Sequence, residues 1–161
     1  MAIVLTGYSS EIGKSVLNGF RDNKETIYCL GSNKFIAKNN SDKNNHIFYF
    51  IDFESKKFEP QLDDFFSHIA TQEINTIIHL ASNPGKRQKL SLMNYNEISD
   101  LILFNHINSA WFMKKSCDFL ASNNKVINKS FIYISTQLAK YKGPSLSIYS
   151  SCKAAMNNLC K

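Results

Sequence analysis

A tyrosine and a lysine near the end of the sequence are spaced for proton-transfer chemistry. Tyr149 and Lys153 are four residues apart in a helical pattern, so their side chains lie on one face of the predicted helix. An ammonium group beside a phenol stabilises the phenolate and lowers a pKa that is otherwise near ~10. Tyr149 could therefore give a proton to a carbonyl or take one from an alcohol. An ordinary exposed helix pair has the same spacing, and this alternative stays open.

A glycine-containing turn follows the first apolar run of the chain. In the segment Thr6 to Gly13, Gly7 and Gly13 occupy the first and last glycine positions of a phosphate-binding turn. Glycine lets the backbone bend tightly and approach a pyrophosphate, and the N–H groups that begin the next helix hold the anion. The middle glycine is absent, because Ser10 or Glu11 occupies its place. An ordinary strand-to-helix turn is the alternative, but the position after the first strand favours a phosphate site.

Alternating strands and helices must position these residues. Continuous apolar runs predict buried strands at residues 2–6, 26–30, 47–51, 75–80 and 130–135. Helical patterns cover residues from about 12–20, 60–71, 97–120 and 148–161. Residues 31–45, rich in Lys, Asn and Ser, predict a loop or a poorly formed helix. Strands that are continuous apolar runs and alternate with helices are typical of an α/β domain whose parallel sheet is covered on both faces.

Composition excludes several classes of protein. The chain has 161 residues, of which 43% are hydrophobic, so it is neither disordered nor larger than a single domain. The net charge is +6, but the basic residues are scattered, which favours a solvated surface over a nucleic-acid site. The four cysteines form no CxxC pair and lack histidines at zinc-ligand spacing, so we expect reduced thiols, no metal and a cytoplasmic location. No signal peptide or membrane span is predicted, and we expect no membrane partner.

Motifs in the first half of the chain resemble the short-chain dehydrogenase/reductase family. Thr6 to Gly13 resembles the TGxxxGxG turn of this family. Asp52, just after the third predicted strand, matches the acidic residue that meets the adenine ring. His79-Leu80-Ala81-Ser82 resembles the HLA(A/S) element of the extended branch of the family, where the standard branch has NNAG.

Motifs in the second half agree in order and spacing with the same family. Asn105 matches the asparagine of its NVxG segment, and Ser135-Thr136 stands where the family has Ser-Ser. Tyr149 to Lys153 is the YxxxK motif, thirteen residues after Thr136, which is the spacing of the standard branch. The two halves therefore point to different branches, while the joint order of the motifs is specific for the family.

The resemblance implies a fold and an activity. The implied fold is a three-layer, Rossmann-type, doubly wound parallel sheet of about five strands in the order 3-2-1-4-5. The implied activity is hydride transfer between NAD(P) and a carbonyl or alcohol, with Tyr149 as general acid/base. Lys153 would also hold the nicotinamide ribose, Thr136 would hydrogen-bond the substrate oxygen, and Asn105 would bind a water that connects Lys153 to solvent.

Domain content is also implied by the resemblance. Residues 1–161 would form a single NAD(P)-binding domain that lacks the C-terminal substrate-binding part, because family members continue well past YxxxK. Whether this chain turns over a small-molecule substrate by itself stays open.

The cofactor contacts implied by the resemblance lie in the turn, at strand ends and on the YxxxK helix. They are Thr6, Gly7, Ser9, Ser10, Ile12, Gly13, Ser32, Asn33, Lys34, Asp52, Phe53, Leu80, Ala81, Ser82, Tyr149 and Lys153. An NAD site usually has a carboxylate about 20 residues past the glycine turn. The second strand instead ends with Ser32, Asn33 and Lys34, which could bind a 2′-phosphate, so the sequence favours NADP. The lack of an arginine keeps NAD possible.

Two other functions remain as alternatives. A sugar-nucleotide epimerase or dehydratase of the extended branch would use the same transient oxidation. A non-catalytic dinucleotide sensor or scaffold is favoured by Glu11 in the turn and by Thr136 in place of serine, whereas the Tyr149/Lys153 pair favours an enzyme. Apolar residues of the 97–120 helix, among them Trp111, exceed what one helix face can bury. We therefore expect a homodimer through the 97–120 and 148–161 helices.

Overall fold

A five-stranded parallel sheet lies within the part of the chain that the computed structural model describes, residues 1–20, 24–32, 45–141 and 143–161. The strands are β1 (Ala2–Thr6), β2 (Thr26–Gly31), β3 (His46–Phe50), β4 (Ile74–His79) and β5 (Ser130–Tyr133). Their order across the sheet is β3-β2-β1-β4-β5, and every neighbouring pair is parallel. The predicted fold class and strand order are confirmed.

Helices follow the strands in the predicted sequence. They are α1 (Glu11–Gly19), α2 (Phe58–His68), α3 (Tyr95–Ile102), α4 (Ser109–Ser122) and α5 (Ser147–Leu159). A π-helical turn, Leu103–Asn108, joins α3 to α4, and short 3₁₀ turns cover Leu90–Leu92 and Gln137–Ala139. The helix predicted at 97–120 thus begins two residues earlier, at a capping box in which Asn94 and Glu97 satisfy each other's backbone N–H groups.

Both faces of the sheet are covered, which explains why each strand is a continuous apolar run. On one face, Val16, Leu17 and Phe20 of α1 and its C-terminal end pack on a cluster that includes Leu5 and Ile27. On the other face, a chain of aromatic contacts joins the sheet to α2 and α4, through the residues Tyr28, Tyr49, Phe65, Phe66 and Phe119. Helix, sheet and helix form the three predicted layers.

The chain divides into two compact units. The first unit consists of residues 1–81 and 114–133 and contains the whole sheet, α1, α2 and most of α4. The second unit consists of residues 82–113 and 134–161 and contains α3, the π-helical turn, the start of α4 and α5. A single domain over residues 1–161 stays a prediction.

The cysteines of the chain are free thiols. All four are among the described residues and none forms a disulfide. The described residues contain no group of three or more His, Cys, Asp and Glu side chains able to hold a metal ion. No helix in the described ranges has both the length and the apolar content needed to cross a bilayer.

Candidate functional site

The glycine turn after β1 is built by close backbone approach. Gly7 has φ +70°, a conformation that side-chain-bearing residues rarely adopt. A Cβ at Gly7 would lie 2.7 Å from the Ala81 nitrogen, and one at Gly13 would lie 2.4 Å from the Gly7 oxygen. Ser10 caps α1, because its Oγ accepts from the Gly13 N–H at 3.0 Å and donates to the Gly7 oxygen at 2.8 Å. Both predicted glycines are therefore needed for this geometry.

The outer side of the turn is open to solvent. Ser9 and Ser10 are exposed, and Ile12 leaves 58% of its surface uncovered although it is apolar. Glu11 is exposed as well and forms an ion pair with Lys14 at 2.8 Å, which lowers the pKa of the Glu11 carboxyl. The start of α1 is thus accessible to an anion, and it carries one carboxylate that would oppose such an anion.

Thr6, the last residue of β1, links the turn to the end of β4. Its hydroxyl oxygen lies 2.7 Å from His79 Nδ1 and accepts from the N–H groups of Leu80 at 3.2 Å and Ala81 at 3.0 Å. Thr6 and His79 are fully buried, Leu80 is buried and Ala81 is half-buried. Among the residues predicted to contact a cofactor, Thr6, Gly7, Leu80 and Ala81 are therefore held together.

The ends of β2 and β3 carry the other predicted cofactor contacts of the first unit. Ser32 is exposed directly after β2, while Asn33 and Lys34 lie outside the described residues. Asp52 is half-buried, and its Oδ1 accepts from the Glu54 N–H at 3.0 Å. Phe53 is 3% exposed and its ring packs on Phe58, with the ring centroids 4.6 Å apart. The Phe53 side chain is thus a core residue, which leaves its backbone as the part able to face a ligand.

Tyr149 and Lys153 share a face of α5, as their spacing predicted. Lys153 Nζ lies 5.7 Å from the centroid of the Tyr149 ring. The Lys153 side chain is 3% exposed and its ammonium donates to the Ile134 carbonyl oxygen at 3.2 Å. Burial lowers the pKa of Lys153 to about 8, against a smaller opposing effect from Cys152. The lysine therefore loses its proton well below the pH at which an exposed lysine does, and it lies beside a half-buried tyrosine.

The segment before α5 is tied to the segment after β4. Ser145 has φ +66°, an uncommon conformation for a residue with a side chain, and its carbonyl accepts from the Gln88 N–H at 3.1 Å. Lys86, Met93 and Leu101 line a cavity of about 170 Å³ together with polar groups of the same unit. The same three residues also lie against Tyr149 in a smaller adjoining depression. The chain thus places Tyr149 next to a recess within the second unit.

Asn105 is a buried residue of the π-helical turn, and its side chain makes three hydrogen bonds to backbone groups. Its Oδ1 accepts from the Asn83 N–H at 2.9 Å, and its Nδ2 donates to the carbonyls of Asn83 at 2.7 Å and Leu101 at 2.9 Å. A side chain that bonds the carbonyl four residues earlier interrupts the helical ladder, which is a recognised origin of such turns. Asn105 therefore anchors the segment after β4, and the water that it was expected to bind stays a prediction.

Thr136 and Ser82 complete the predicted residues. Thr136 is half-buried and begins the 3₁₀ turn Gln137–Ala139, with its Oγ1 accepting from the Leu138 N–H at 3.4 Å. β5 ends at Tyr133 rather than at residue 135, so two residues outside the strand separate it from Thr136. Ser82 is exposed. All four predicted catalytic residues belong to the second unit.

His79 begins the segment that resembles HLA(A/S), but the sequence predicted no role for its side chain. The available signal was positional, because Thr6 and His79 end neighbouring strands and pair in register. Residues paired in register on neighbouring parallel strands project side by side from the same face of the sheet, so a contact between these two polar side chains was to be expected.

Comparisons with known proteins identify the fold of the chain. No protein-family model matches the chain, and no curated protein matches it in sequence. Solved structures do match over nearly the whole chain. A short-chain dehydrogenase/reductase from Saccharomyces cerevisiae is 17% identical with a TM-score of 0.80, over 98% of this chain and 62% of that one. Serine dehydrogenase from Escherichia coli is 12% identical with a TM-score of 0.84, over 99% of this chain and 73% of that one.

A third structure, a variant of ElxO with NADPH bound, is 18% identical with a TM-score of 0.83, over 98% of this chain and 64% of that one. The chain therefore has the fold of the short-chain dehydrogenases/reductases and spans about two thirds of the length of these structures.

Proposed function

We propose that the protein is an NAD(P)-dependent oxidoreductase of the short-chain dehydrogenase/reductase type. The observation that carries this proposal is the position of the Lys153 ammonium. Lys153 is buried, and its Nζ lies 5.7 Å from the centroid of the Tyr149 ring on the same helix. A buried cation close to a phenol is expensive to maintain for stability alone, and it suits a phenol that must release and regain a proton. Structures of the same fold with dehydrogenase and reductase names support this class of reaction.

The glycine turn fits a dinucleotide pyrophosphate. Gly7 and Gly13 leave no space for a Cβ, and the exposed start of α1 directs backbone N–H groups outward. Thr6, Ser9, Ser10 and Ile12 would complete this part of the contact. The nicotinamide of a bound cofactor would supply the hydride chemistry, and the protein supplies position and the proton.

Tyr149 would act as the general acid when a carbonyl is reduced and as the general base when an alcohol is oxidised. The Lys153 ammonium would stabilise the phenolate and hold ribose hydroxyls, while its bond to the Ile134 carbonyl fixes its direction. The Thr136 hydroxyl would bond the substrate oxygen. Asn105 would hold the segment after β4 in place and bind the connecting water.

We propose NADP as the cofactor, because no carboxylate occurs in β2 or at Ser32. Ser32, Asn33 and Lys34 would bind the 2′-phosphate, which an acidic side chain at this position would repel. Asp52 would contact the adenine. Tighter binding of NADH than of NADPH would instead make NAD the cofactor.

A non-catalytic dinucleotide sensor or scaffold is the second candidate, and the exposed Glu11 carboxylate at the turn favours it. The alternative of a sugar-nucleotide epimerase or dehydratase rests on the resemblance of His79–Ser82 to the extended branch.

We also propose a homodimer through the 97–120 and 148–161 helices. Ile107 leaves 54% of its surface uncovered, whereas Phe112 is fully buried and cannot contribute. Light scattering that shows a monomer at high concentration would exclude the dimer.

Titration with NADPH and NADH, followed by fluorescence and thermal shift, tests the cofactor assignment, with tighter binding of NADPH expected.

Tyr149→Phe tests the reaction, with NADPH oxidation measured against a panel of aldehydes and ketones. We expect turnover to fall by at least ~100-fold while NADPH affinity changes less than about threefold. Tyr141→Phe is the matched control, because Tyr141 is 69% exposed in the same unit. Undiminished turnover by Tyr149→Phe would contradict the mechanism, and a cofactor response without turnover would favour the sensor.

A further inference from the structure

The Thr6 hydroxyl has three hydrogen-bond partners but only one proton to donate. A threonine hydroxyl has one proton to donate and two lone pairs that accept. The N–H groups of Leu80 and Ala81 occupy the lone pairs at 3.2 and 3.0 Å. The remaining contact, 2.7 Å to His79 Nδ1, must therefore be the one that receives the Thr6 proton. His79 is then a neutral imidazole that accepts at Nδ1 and carries its own proton on Nε2.

Aromatic side chains fix the orientation of the His79 ring. The ring stacks on Phe53 at a centroid distance of 5.4 Å and an angle of 24°, and it lies 5.7 Å from the Tyr133 ring at 31°. Phe53 in turn packs on Phe58 of α2. With no exposed surface and rings around it, the imidazole holds Nδ1 toward Thr6.

This contact controls the place where the glycine turn meets β4. Thr6 precedes Gly7, and the backbone of Gly7 passes so close to Ala81 that a Cβ would lie 2.7 Å from its nitrogen. If the Thr6 hydroxyl rotated, the N–H groups of Leu80 and Ala81 would lose their acceptor and this close approach would loosen. The unprotonated His79 Nδ1 accepts the Thr6 proton, and this keeps the lone pairs of the hydroxyl turned toward the two N–H groups.

We infer that His79 is a positioning residue for the dinucleotide turn, acting through the Thr6 hydroxyl rather than by touching the ligand. The inference rests on the proposed function, since it assigns His79 a role in binding the cofactor assumed there. This role requires a hydrogen-bond acceptor at residue 79, so a side chain of similar size without an acceptor should not replace the histidine.

NADPH binding by a set of variants tests the inference. His79→Phe keeps an aromatic ring but removes the acceptor, and it should weaken NADPH binding about tenfold, which is the effect of one buried hydrogen bond. His79→Asn retains an acceptor atom at the position of Nδ1 and should stay within about threefold of the unchanged protein. Thr6→Val should weaken binding at least as much as His79→Phe. Adding His79→Phe to Thr6→Val should cause no further loss, because the two residues act in one chain.

His46→Phe is the matched control, because His46 is also buried but begins β3, at the opposite end of the parallel strands from the turn. It should lower thermal stability without changing NADPH affinity. Equal NADPH affinity in His79→Phe and the unchanged protein would overturn the inference, as would a loss in His79→Asn as large as in His79→Phe. An unchanged protein that is folded but binds no NADPH would instead contradict the proposed function. Should His79→Phe fail to fold, NADPH affinity in Thr6→Val equal to that of the unchanged protein would overturn the inference in its place.

Discussion

Of the two regions that we propose to act on a dinucleotide, one is formed mainly by backbone atoms and the other by side chains. The turn of the first unit relies on backbone: Gly7 and Gly13 pass within contact distance of other main-chain atoms, and a buried Thr6 hydroxyl secures the arrangement. The Tyr149/Lys153 pair of the second unit relies on side chains of one helix and on burial of a charge. The glycine turn should therefore be sensitive to substitutions that add side-chain volume, whereas the Tyr149/Lys153 pair should be sensitive to pH.

Gly7→Ala should produce the largest effect. The φ of +70° is strained for alanine, and the new Cβ would meet Ala81 and Leu80 backbone atoms that cannot move independently. We expect a loss of unfolding free energy above roughly 2 kcal/mol and a loss of detectable NADPH binding.

Gly19→Ala provides the control for that substitution, since nothing lies within 4 Å of its added Cβ. It should leave stability unchanged or raise it by up to ~1 kcal/mol. Urea unfolding measures both variants. Equal stability of the two would show that the turn tolerates volume and that the contrast between the regions is wrong.

Lys153 should make stability depend on pH. Its folded pKa of about 8 is below the ordinary 10.5, so the unfolded chain binds more protons between these values. Lys153 therefore contributes a rise in stability with pH across this window, of roughly 3 kcal/mol in total, as the buried ammonium loses its charge. Lys153→Met should remove this rise, while Lys114→Met, at an exposed lysine, should keep it. A parallel pH profile in Lys153→Met and the unchanged protein would show that burial does not perturb Lys153.

Turnover should follow the opposite trend to stability. Above the pKa of about 8 the Lys153 amine is neutral and no longer stabilises the Tyr149 phenolate. The pH profile of turnover should therefore fall on its alkaline side near that pKa, whereas NADPH affinity should fall less, because the contacts at the turn do not involve Lys153.

Glu11→Gln should produce the smallest effect and should act on the turn alone. The substitution removes the carboxylate that would face a pyrophosphate, and it releases Lys14 from its ion pair. NADPH should bind about three- to tenfold more tightly at low salt, and the gain should shrink as salt is added.

Glu59→Gln is its control, because Glu59 also occupies the first turn of a helix, α2. NADPH affinity should be unaffected by that change. Tighter binding in both variants would assign the effect to net charge rather than to the turn.

Local spacing in the sequence predicted the larger part of the fold and of the candidate site. The five strands, the order of the helices, the glycine positions and the Tyr149/Lys153 spacing all depend on residues close together along the chain. Element ends were less accurate: α2 begins at Phe58 rather than Pro60, and β5 ends at Tyr133. Ends depend on which carbonyls find partners elsewhere, and the Ile134 carbonyl bonds Lys153.

The sequence by itself determined the alternation of strands and helices, because apolar periodicity records which faces are buried. It also determined that Gly7 and Gly13 stand where a backbone must bend and that Tyr149 and Lys153 share a helix face. Only the tertiary structure decided that Thr6 meets His79 across 73 residues, that Asn105 bonds Asn83, and that burial shifts the pKa of Lys153. These features arise from groups brought together by folding, and hydrogen-bond direction and desolvation depend on that proximity rather than on spacing along the chain.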